Sequence, residues 1–280
     1  MKIAIKSVKW TFHEIAARQY FPNQQVIDIL EKTDIQSLLK DVEDWTADYW
    51  VIEIENTITW TIYNHLHYLR NANVSIIWET YLNVDKNLSA LPGVSFNDIK
   101  YVCWEHTAIE QTRSFFEKYP NITIIECGNL SIAWRNIKEK NLMDAWLIGG
   151  RLAAKMYWFN ILIDKIESEI KNYTRFVIVK RKAEVSENKD FNKATLHIVI
   201  PNQIWSLMKI LWVITAYDIN LTKIESVPIH WEPFHYSFYI DIGFTYKQSY
   251  EGMLAAVRPL AKELDVLWEY KANDKIMSEN

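Results

Sequence analysis

Residues 53–65, which read EIENTITWTIYNH, bring together side chains that could carry out chemistry. Glu55, Asn56 and Thr57 offer a carboxylate, an amide and a hydroxyl in succession, and Thr61 adds another hydroxyl. Such groups bind the oxygens of a substrate and stabilise charge that develops on them. The indole of Trp60 stands among these small polar groups. The segment therefore predicts a polar binding site that contains an unexplained tryptophan.

Two further segments carry groups of the same kind. In NYTRF at 172–176, Thr174 supplies a hydroxyl and Arg175 a permanently charged guanidinium that can bind or orient a carboxylate. In AIEQ at 108–111, Gln111 supplies an amide donor. Two ordinary alternatives stay open, since Arg175 could pair with a surface carboxylate and Glu55 could cap a helix.

The elements that must position these groups alternate along the chain. Short apolar runs predict strands at 2–5, 49–54, 74–78, 101–104, 122–127 and 176–180, and helical spacing predicts helices at 12–20, 61–70 and 108–119. This alternation predicts an α/β domain with mostly parallel strands. Sheets of that kind bind ligands at the carboxyl ends of their strands.

The pattern changes near residue 181. Residues 182–193 are charged and nearly free of large apolar groups, which is typical of a linker. Beyond them we predict strands at 194–200, 219–229, 236–243 and 266–270 and helices at 203–217 and 249–263. That βαββαβ order predicts a small ferredoxin-like domain. The expected organisation is a first domain at 1–181, a linker at 182–193, a second domain at 194–271 and a tail at 272–280.

Composition narrows the class of protein. The chain has 280 residues, of which 49% are hydrophobic and 24% charged, as in a soluble globular protein. A net charge of −4 gives no basic field for nucleic acid. Two cysteines are too few for a disulfide framework, the first residues do not resemble a signal peptide, and no apolar run is long enough to span a bilayer. We therefore expect a cytoplasmic protein.

Five motifs taken in order carry a resemblance to a known family: TFHEIAARQYF at 11–21, EIENT at 53–57, AIEQ at 108–111, NYTRF at 172–176 and INLTKIESVP at 219–228. Together they resemble the prephenate dehydratase family with its carboxyl-terminal ACT regulatory domain, over roughly residues 2–271. The resemblance implies two α/β subdomains around a cleft, like a periplasmic binding protein, followed by a ferredoxin-like ACT domain.

The resemblance also implies an activity. Enzymes of this family are lyases that convert prephenate to phenylpyruvate with loss of water and carbon dioxide, and they use no metal or cofactor. The essential threonine falls on Thr174, where it would donate to the departing hydroxyl. The implied substrate-binding residues are Thr11, Glu55, Asn56, Thr57, Thr61, Gln111, Arg175 and Phe176.

For the ACT domain, the resemblance implies phenylalanine binding at a subunit interface of a homodimer or homotetramer, through Ser206, Leu207, Glu225 and Ser226. The family motif Glu-Ser-Arg-Pro appears here with Val227 in place of arginine. Regulation by phenylalanine is therefore left open, as is the alternative that this domain only dimerises the chain.

Three histidines have ordinary explanations. His65 and His67 lie two residues apart on a predicted helix and so face different sides, which does not favour a metal site. His13 lies in the first predicted helix, and we expect a half-buried structural histidine there.

The tryptophans depart from the family pattern. Eight of the thirteen stand where the family has glycine: Trp10, Trp50, Trp60, Trp78, Trp158, Trp205, Trp231 and Trp268. Trp104 replaces a motif serine, and the family's Asp-Thr pair appears as Asn129-Leu130. The chain has only six glycines, and its glycines and tryptophans together come close to the roughly 20 glycines expected from average usage.

Two hypotheses explain this pattern. In the first, a UGA codon read here as tryptophan is decoded as glycine in the source organism, and the protein is an ordinary dehydratase. In the second, the indoles are native, and Trp10 and Trp60 flank Thr174 and crowd out prephenate. The protein would then be an impaired homologue that binds phenylalanine or acts as a scaffold. A third reading is a related decarboxylase that leaves the ring non-aromatic.

Overall fold

The computed structural model describes residues 1–6, 11–24, 26–32, 34–58, 60–104, 106–127, 130–168, 171–185, 190–230 and 232–273. Helices within this part are α1 Phe12–Tyr20, α2 Ile35–Glu43, α3 Tyr63–Asn71, α4 His106–Phe116, α5 Leu130–Glu139, α6 Arg151–Tyr157, α7 Ser206–Ala216 and α8 Lys247–Val257. Strands within it are β1 Lys2–Ile5, β2 Asp28–Glu31, β3 Tyr49–Asn56, β4 Trp60–Thr61, β5 Val74–Asn83, β6 Asn87–Ala90, β7 Tyr101–Trp104, β8 Thr123–Glu126, β9 Ala145–Gly149, β10 Asn160–Ile163, β11 Tyr173–Arg181, β12 Lys193–Val199, β13 Asn220–Pro228, β14 Tyr236–Gly243 and β15 Glu263–Tyr270.

Two sheets are built from the strands before residue 182. The first has the order β2-β1-β3-β11-β5, with β4 paired to β3, and the second has the order β10-β6-β9-β7-β8. Strand β1 is parallel to β2 and β3, and β7 is parallel to β8 and β9. Strands β4, β6 and β10 pair in antiparallel fashion. The predicted α/β class is thus confirmed, although both sheets are mixed.

A third sheet follows, with the order β13-β14-β12-β15 and antiparallel pairing throughout. Its elements come in the predicted order of strand, helix, strand, strand, helix, strand. Apolar residues on the sheet, such as Ile198 and Ile240, form one buried cluster with Ile210 of α7 and Met253 of α8. Burial of this apolar face holds the two helices on the sheet.

By its internal contacts the chain divides into two compact units. The first unit consists of residues 1–66 and 81–176, and the second of residues 67–80 and 177–280. The second unit therefore includes a segment from the middle of the first predicted domain. No helix of the described residues is long and apolar enough to cross a membrane.

Several predicted boundaries were wrong for local reasons. Helix α8 ends at Val257 rather than 263, because Pro259 lies in a short 3₁₀ turn and proline lacks the N–H that would continue the helix. Helix α3 begins at Tyr63 because residues 60–61 pair with β3 instead. Lys193, the last residue of the predicted linker, is buried in β12.

Candidate active site

The end of β3 and the start of β11 bring two predicted site residues into contact. The side-chain amide of Asn56 donates to the Thr174 hydroxyl at 2.8 Å. Asn56 is partly buried and Thr174 is 8% exposed. The order of the first sheet explains the contact, because β3 and β11 are hydrogen-bonded neighbours although 116 residues separate Asn56 from Asn172 along the chain.

Asn172 and Gln111 continue the same network. The amide of Asn56 also donates to the Asn172 side-chain carbonyl at 2.7 Å. Asn172 in turn donates to Gln111 Oε1 at 3.1 Å and to the backbone carbonyl of Val84 at 3.2 Å. Asn172 is fully buried and Gln111, on α4, is 7% exposed. Three predicted site residues, Asn56, Gln111 and Thr174, are thus joined through one residue that was not predicted.

A largely buried ion pair joins the residues next in sequence to Asn56 and Thr174. Arg175 Nη1 is 3.2 Å from Glu55 Oε1, and the Arg175 side chain is 2% exposed against 25% for Glu55. A buried guanidinium needs such a partner, since an unpaired charge away from water is costly. The structure therefore pairs two predicted site residues with each other, rather than placing Arg175 on an exposed surface carboxylate.

The remaining predicted residues hold the backbone around this centre. The Thr57 hydroxyl donates to the Lys171 carbonyl at 3.1 Å and accepts from the Tyr173 N–H at 3.0 Å. Thr61 lies opposite Glu55 in the β3–β4 register, and Thr11 is the N-cap residue of α1. Phe176 is buried, with its ring edge-on to His13 at 5.0 Å between centroids.

A second cluster surrounds Glu53, two residues before Glu55 on β3. Lys6 Nζ is 3.2 Å from one carboxylate oxygen and His13 Nε2 is 3.2 Å from the other. His65 donates from Nδ1 to the Glu53 backbone carbonyl at 2.6 Å and accepts from Lys6 at Nε2 at 3.1 Å. Burial alone would raise the pKa of the Glu53 carboxyl, but the attraction of His13, Lys6 and His65 lowers that pKa to about 2. Glu53 therefore stays ionised at neutral pH.

The histidine predictions can be compared with this cluster. His65 is buried and His67 exposed, so the two rings face different sides as predicted. Burial lowers the pKa of His65, which favours its neutral form. His13 is 6% exposed, more deeply buried than the half-buried position expected for it. Within the described ranges, no group of three or more His, Cys, Asp or Glu side chains could hold a metal ion.

The predicted effector residues lie in the second unit. Ser206 is buried and Leu207 partly buried at the start of α7. Glu225 and Ser226 lie on β13, where Glu225 Oε2 is 3.0 Å from Lys223 Nζ. Trp205 precedes α7 with a φ of 69° and is 65% exposed.

Some predicted positions cannot be placed. Trp10, Trp231 and Asn129 lie outside the described residues, as do the side chains of Trp60, Thr61 and Trp104. The expectation that Trp10 and Trp60 flank Thr174 therefore stays a prediction.

Sequence reasoning missed three contributors to the two clusters, namely Asn172, Lys6 and Glu53. Asn172 is the first residue of the NYTRF motif and could have been found there, but Asn172-Tyr173-Thr174 also matches the common sequence for N-glycosylation. Lys6 directly follows β1 and Glu53 lies on β3, and nothing in their spacing signals that the β1–β3 pairing brings them together.

Comparison with known proteins gives these observations a family context. The family model for prephenate dehydratase matches residues 3–184. The bifunctional chorismate mutase/prephenate dehydratase of Enterobacter agglomerans is 26% identical over 284 residues, covering 99% of this chain and 72% of that protein. The chloroplastic arogenate dehydratase/prephenate dehydratase 2 of Arabidopsis thaliana is 28% identical over 250 residues, covering 86% and 65%. The chain thus spans about two thirds of the length of these curated relatives.

Solved structures share the fold. Prephenate dehydratase from Staphylococcus aureus aligns with a TM-score of 0.83 at 22% identity over 97% of this chain and 100% of the other. The Arthrobacter aurescens prephenate dehydratase, described in complex with L-Phe, aligns at 0.82 with 24% identity over 98% and 91%. A structure described as GqqA, a novel type of quorum quenching acylases, aligns at 0.84 with 20% identity over 98% of both chains. At these identities the likeness concerns the fold alone.

Proposed function

The chain belongs to the prephenate dehydratase family, and we propose on this basis that it is a prephenate dehydratase of the phenylalanine pathway. The single observation that carries the proposal is the hydrogen-bond network of Asn56, Thr174, Asn172 and Gln111. It supplies amide and hydroxyl groups from three separate segments at one place. The reaction needs such groups, because a hydroxyl must leave a carbon atom with its bonding electrons.

The proposed mechanism assigns the departing oxygen to Thr174. In prephenate the C–O bond to the ring hydroxyl breaks while the ring carboxylate leaves as carbon dioxide. The electron pair of the C–C bond between the ring and this carboxylate enters the ring. The ring becomes aromatic, and the product is phenylpyruvate. The Thr174 hydroxyl donates to the oxygen as it gains negative charge, and a proton completes water. We assign Arg175 the role of orienting a substrate carboxylate, and Glu55 holds its guanidinium in place at 3.2 Å.

Two rival interpretations are less well supported. An impaired homologue that only binds phenylalanine or acts as a scaffold would not need Asn56, Thr174 and Gln111 to keep these mutual contacts. A decarboxylase that leaves the ring non-aromatic would give a product whose ultraviolet spectrum differs from that of phenylpyruvate. We also propose that the protein is a cytoplasmic lyase that needs no metal or cofactor.

Regulation by phenylalanine is proposed for the second unit. Its βαββαβ order and antiparallel sheet support a ferredoxin-like ACT domain. We propose a homodimer or homotetramer in which Ser206, Leu207, Glu225 and Ser226 contact phenylalanine. The relative from Arthrobacter aurescens described with L-Phe supports that ligand. We further propose that the part of the chain before residue 182 forms two subdomains around a cleft that binds prephenate.

Thr174→Ala tests the proposed function directly. We expect this change to lower kcat for phenylpyruvate formation from prephenate by about 10²–10³-fold, the usual loss when one donor to a developing oxyanion is removed. Thr174→Ser, which keeps the hydroxyl, should retain much of the activity. Thr123→Ala removes the hydroxyl of an exposed threonine on β8 and should leave kcat unchanged. Equal turnover by Thr174→Ala and the wild type would refute the assigned role.

A further inference from the structure

Asn172 lies within the candidate site, but the proposed reaction mechanism gives it no role. It is fully buried, and both ends of its side-chain amide are in use. Its carbonyl oxygen accepts from Asn56, and its nitrogen donates to Gln111 Oε1 and to the Val84 carbonyl. It therefore contacts two residues of the proposed site while having no surface of its own to offer a substrate.

Two backbone groups fix the direction of these hydrogen bonds. The Ile58 N–H, which can only donate, lies 2.9 Å from Asn56 Oδ1, so the Asn56 nitrogen must face the other way. The Val84 carbonyl, which can only accept, lies 3.2 Å from Asn172 Nδ2. Turning over either amide would place donor against donor or acceptor against acceptor. The side-chain bonds that join these four residues therefore run from Asn56 to Thr174, and from Asn56 through Asn172 to Gln111.

The direction determines what the last two members can present. Gln111 uses its oxygen to accept from Asn172, which turns its NH₂ group away from Asn172. Thr174 accepts from the Asn56 nitrogen, which has no lone pair to offer, so the Thr174 hydroxyl hydrogen is directed elsewhere. Both ends of the network thus finish in donors. A site built in this way suits an oxygen that gains negative charge and does not suit a cation.

We propose that Asn172 is a positioning residue that sets the Gln111 amide, so that Gln111 N–H and the Thr174 hydroxyl together meet the departing oxygen of the substrate. This inference rests on the proposed dehydratase function. Asn172 itself touches no reacting atom. Its role is to hold Gln111 with the donor side outward, which an acceptor at position 172 would reverse.

Asn172→Asp tests this role, because aspartate cannot donate to Gln111 Oε1 and instead accepts from the Gln111 NH₂ group. We expect kcat to fall about 100-fold while KM changes by less than about threefold, since a donor that acts in the transition state is lost. Gln111→Glu removes the same donor from the other end and should give a similar loss. Asn160→Asp, at an exposed asparagine of β10, is the matched control and should retain wild-type kcat.

Two readouts separate positioning from a merely structural role. The Asn172→Asp/Gln111→Glu double variant should be no slower than either single variant, because both remove one shared donor. The ratio of variant to wild-type kcat should also rise as pH falls, since the carboxyl group introduced by Asn172→Asp regains a hydrogen to donate once it is protonated, and burial raises the pKa of a carboxyl group. Gln111→Glu introduces a carboxyl group nearer the surface. Its kcat relative to wild type should also rise as pH falls, and this can be measured even if Asn172→Asp does not fold.

Each outcome decides the question. A tenfold or greater loss with non-additivity and rescue at low pH supports the positioning role. Wild-type kcat in Asn172→Asp, or losses that multiply in the double variant, would overturn it while leaving the dehydratase function intact. A wild-type protein that forms no phenylpyruvate would contradict the proposed function and the positioning role with it.

Discussion

Among the described residues, three tryptophans have backbone conformations that favour glycine. Trp45, Trp158 and Trp205 have φ values of 56°, 67° and 69°. In this left-handed region a Cβ atom approaches the neighbouring carbonyl, at a cost of about 1–2 kcal/mol that glycine avoids. All three indoles are exposed, so packing offsets little of that cost. Two of them, Trp158 and Trp205, are among the eight positions where the resemblance implies glycine, and Trp45 adds a further candidate.

The setting of Trp158 shows why glycine belongs there. It follows α6 as the C-cap residue, and the next residue, Phe159, donates its N–H to Ala154 five residues back at 2.9 Å. That 6→1 bond is the signature of a helix end that needs a left-handed residue, usually glycine. The backbone conformation therefore supports a glycine-like role at this position independently of the family comparison.

Trp158→Gly and Trp205→Gly should each raise the free energy of unfolding by roughly 0.5–1 kcal/mol, because the strained conformation is relieved. Trp212 provides a matched control, since it is 70% exposed but lies in the middle of α7 with ordinary helical geometry. Trp212→Gly should lower the free energy of unfolding by about 0.5 kcal/mol. Urea denaturation of the three variants measures these differences, and the same sign at all three positions would contradict the backbone argument.

Peptide mass spectrometry on the protein from its native cells tests the decoding hypothesis at Trp60, Trp158 and Trp205. We expect glycine at these positions, because glycine removes the strain at Trp158 and Trp205. Trp134 must be read in the same experiment, since it is buried and stacks on Tyr157, as a native core residue does. Tryptophan at residues 60, 158 and 205 would favour the second hypothesis, in which the indoles fill the site.

At the scale of elements, strand β12 carries a row of buried polar residues. Lys193 is 2.7 Å from Glu79, Thr195 donates to Asp241 at 2.6 Å, and His197 accepts from Arg70 at 2.9 Å. Alternation along the strand puts these three side chains on one face, opposite the face that packs on α7 and α8. Because these buried side chains contact charged or polar partners, this face depends on charge states as well as on packing.

His197 should make the stability of the protein sensitive to mild acid. Burial and the nearby Arg70 lower the pKa of its imidazole to about 4, against an ordinary value of 6.5. Between these two pKa values the His197 imidazole binds a proton in the unfolded chain but not in the folded one. The free energy of unfolding therefore decreases as pH falls from about 6.5 to 4. At pH 5 the loss from this group should be on the order of 2 kcal/mol.

Thermal unfolding at pH 7 and pH 5 measures this effect. His197→Gln keeps an acceptor for Arg70 but cannot titrate, so it should show a smaller drop in midpoint over this interval than the wild type. His67→Gln changes an exposed histidine in the same unit and should retain the wild-type pH dependence. Equal pH dependence in His197→Gln and the wild type would show that another group is responsible.

At the scale of the whole molecule, phenylalanine should stabilise the protein if the proposed effector site works. A ligand at a hundred times its Kd raises the free energy of unfolding by about 2.7 kcal/mol, which appears as a higher thermal midpoint. L-Alanine at the same concentration is the control ligand. Since exposed Trp205 stands where the resemblance implies glycine, Trp205→Gly should respond at lower phenylalanine concentrations than the wild type. No shift at saturating phenylalanine would count against the effector site.

Much of this protein was determined locally in its sequence. The helix at 12–20 and the strands at 2–5, 101–104 and 236–243 match the structure at both ends, because apolar periodicity and turn residues act over a few positions. The motifs also singled out Asn56, Gln111 and Thr174, whose side chains the structure links in one hydrogen-bond network that the motifs did not specify. The predicted end of α8 was wrong because Pro259, which lacks the N–H that would continue the helix, lies in the 3₁₀ turn that follows Val257.

What only the tertiary structure decided depends on contacts between distant segments. The central place of Asn172 and the direction of its hydrogen bonds follow from the approach of Ile58, Val84 and Gln111 to one buried point. The Glu53 cluster likewise needs β1, β3, α1 and α3 side by side. Spacing along the chain does not predict such contacts, because hydrogen bonds and ion pairs depend on the distance between groups in space. The positive φ of Trp45 was equally invisible, because a helix end sets it.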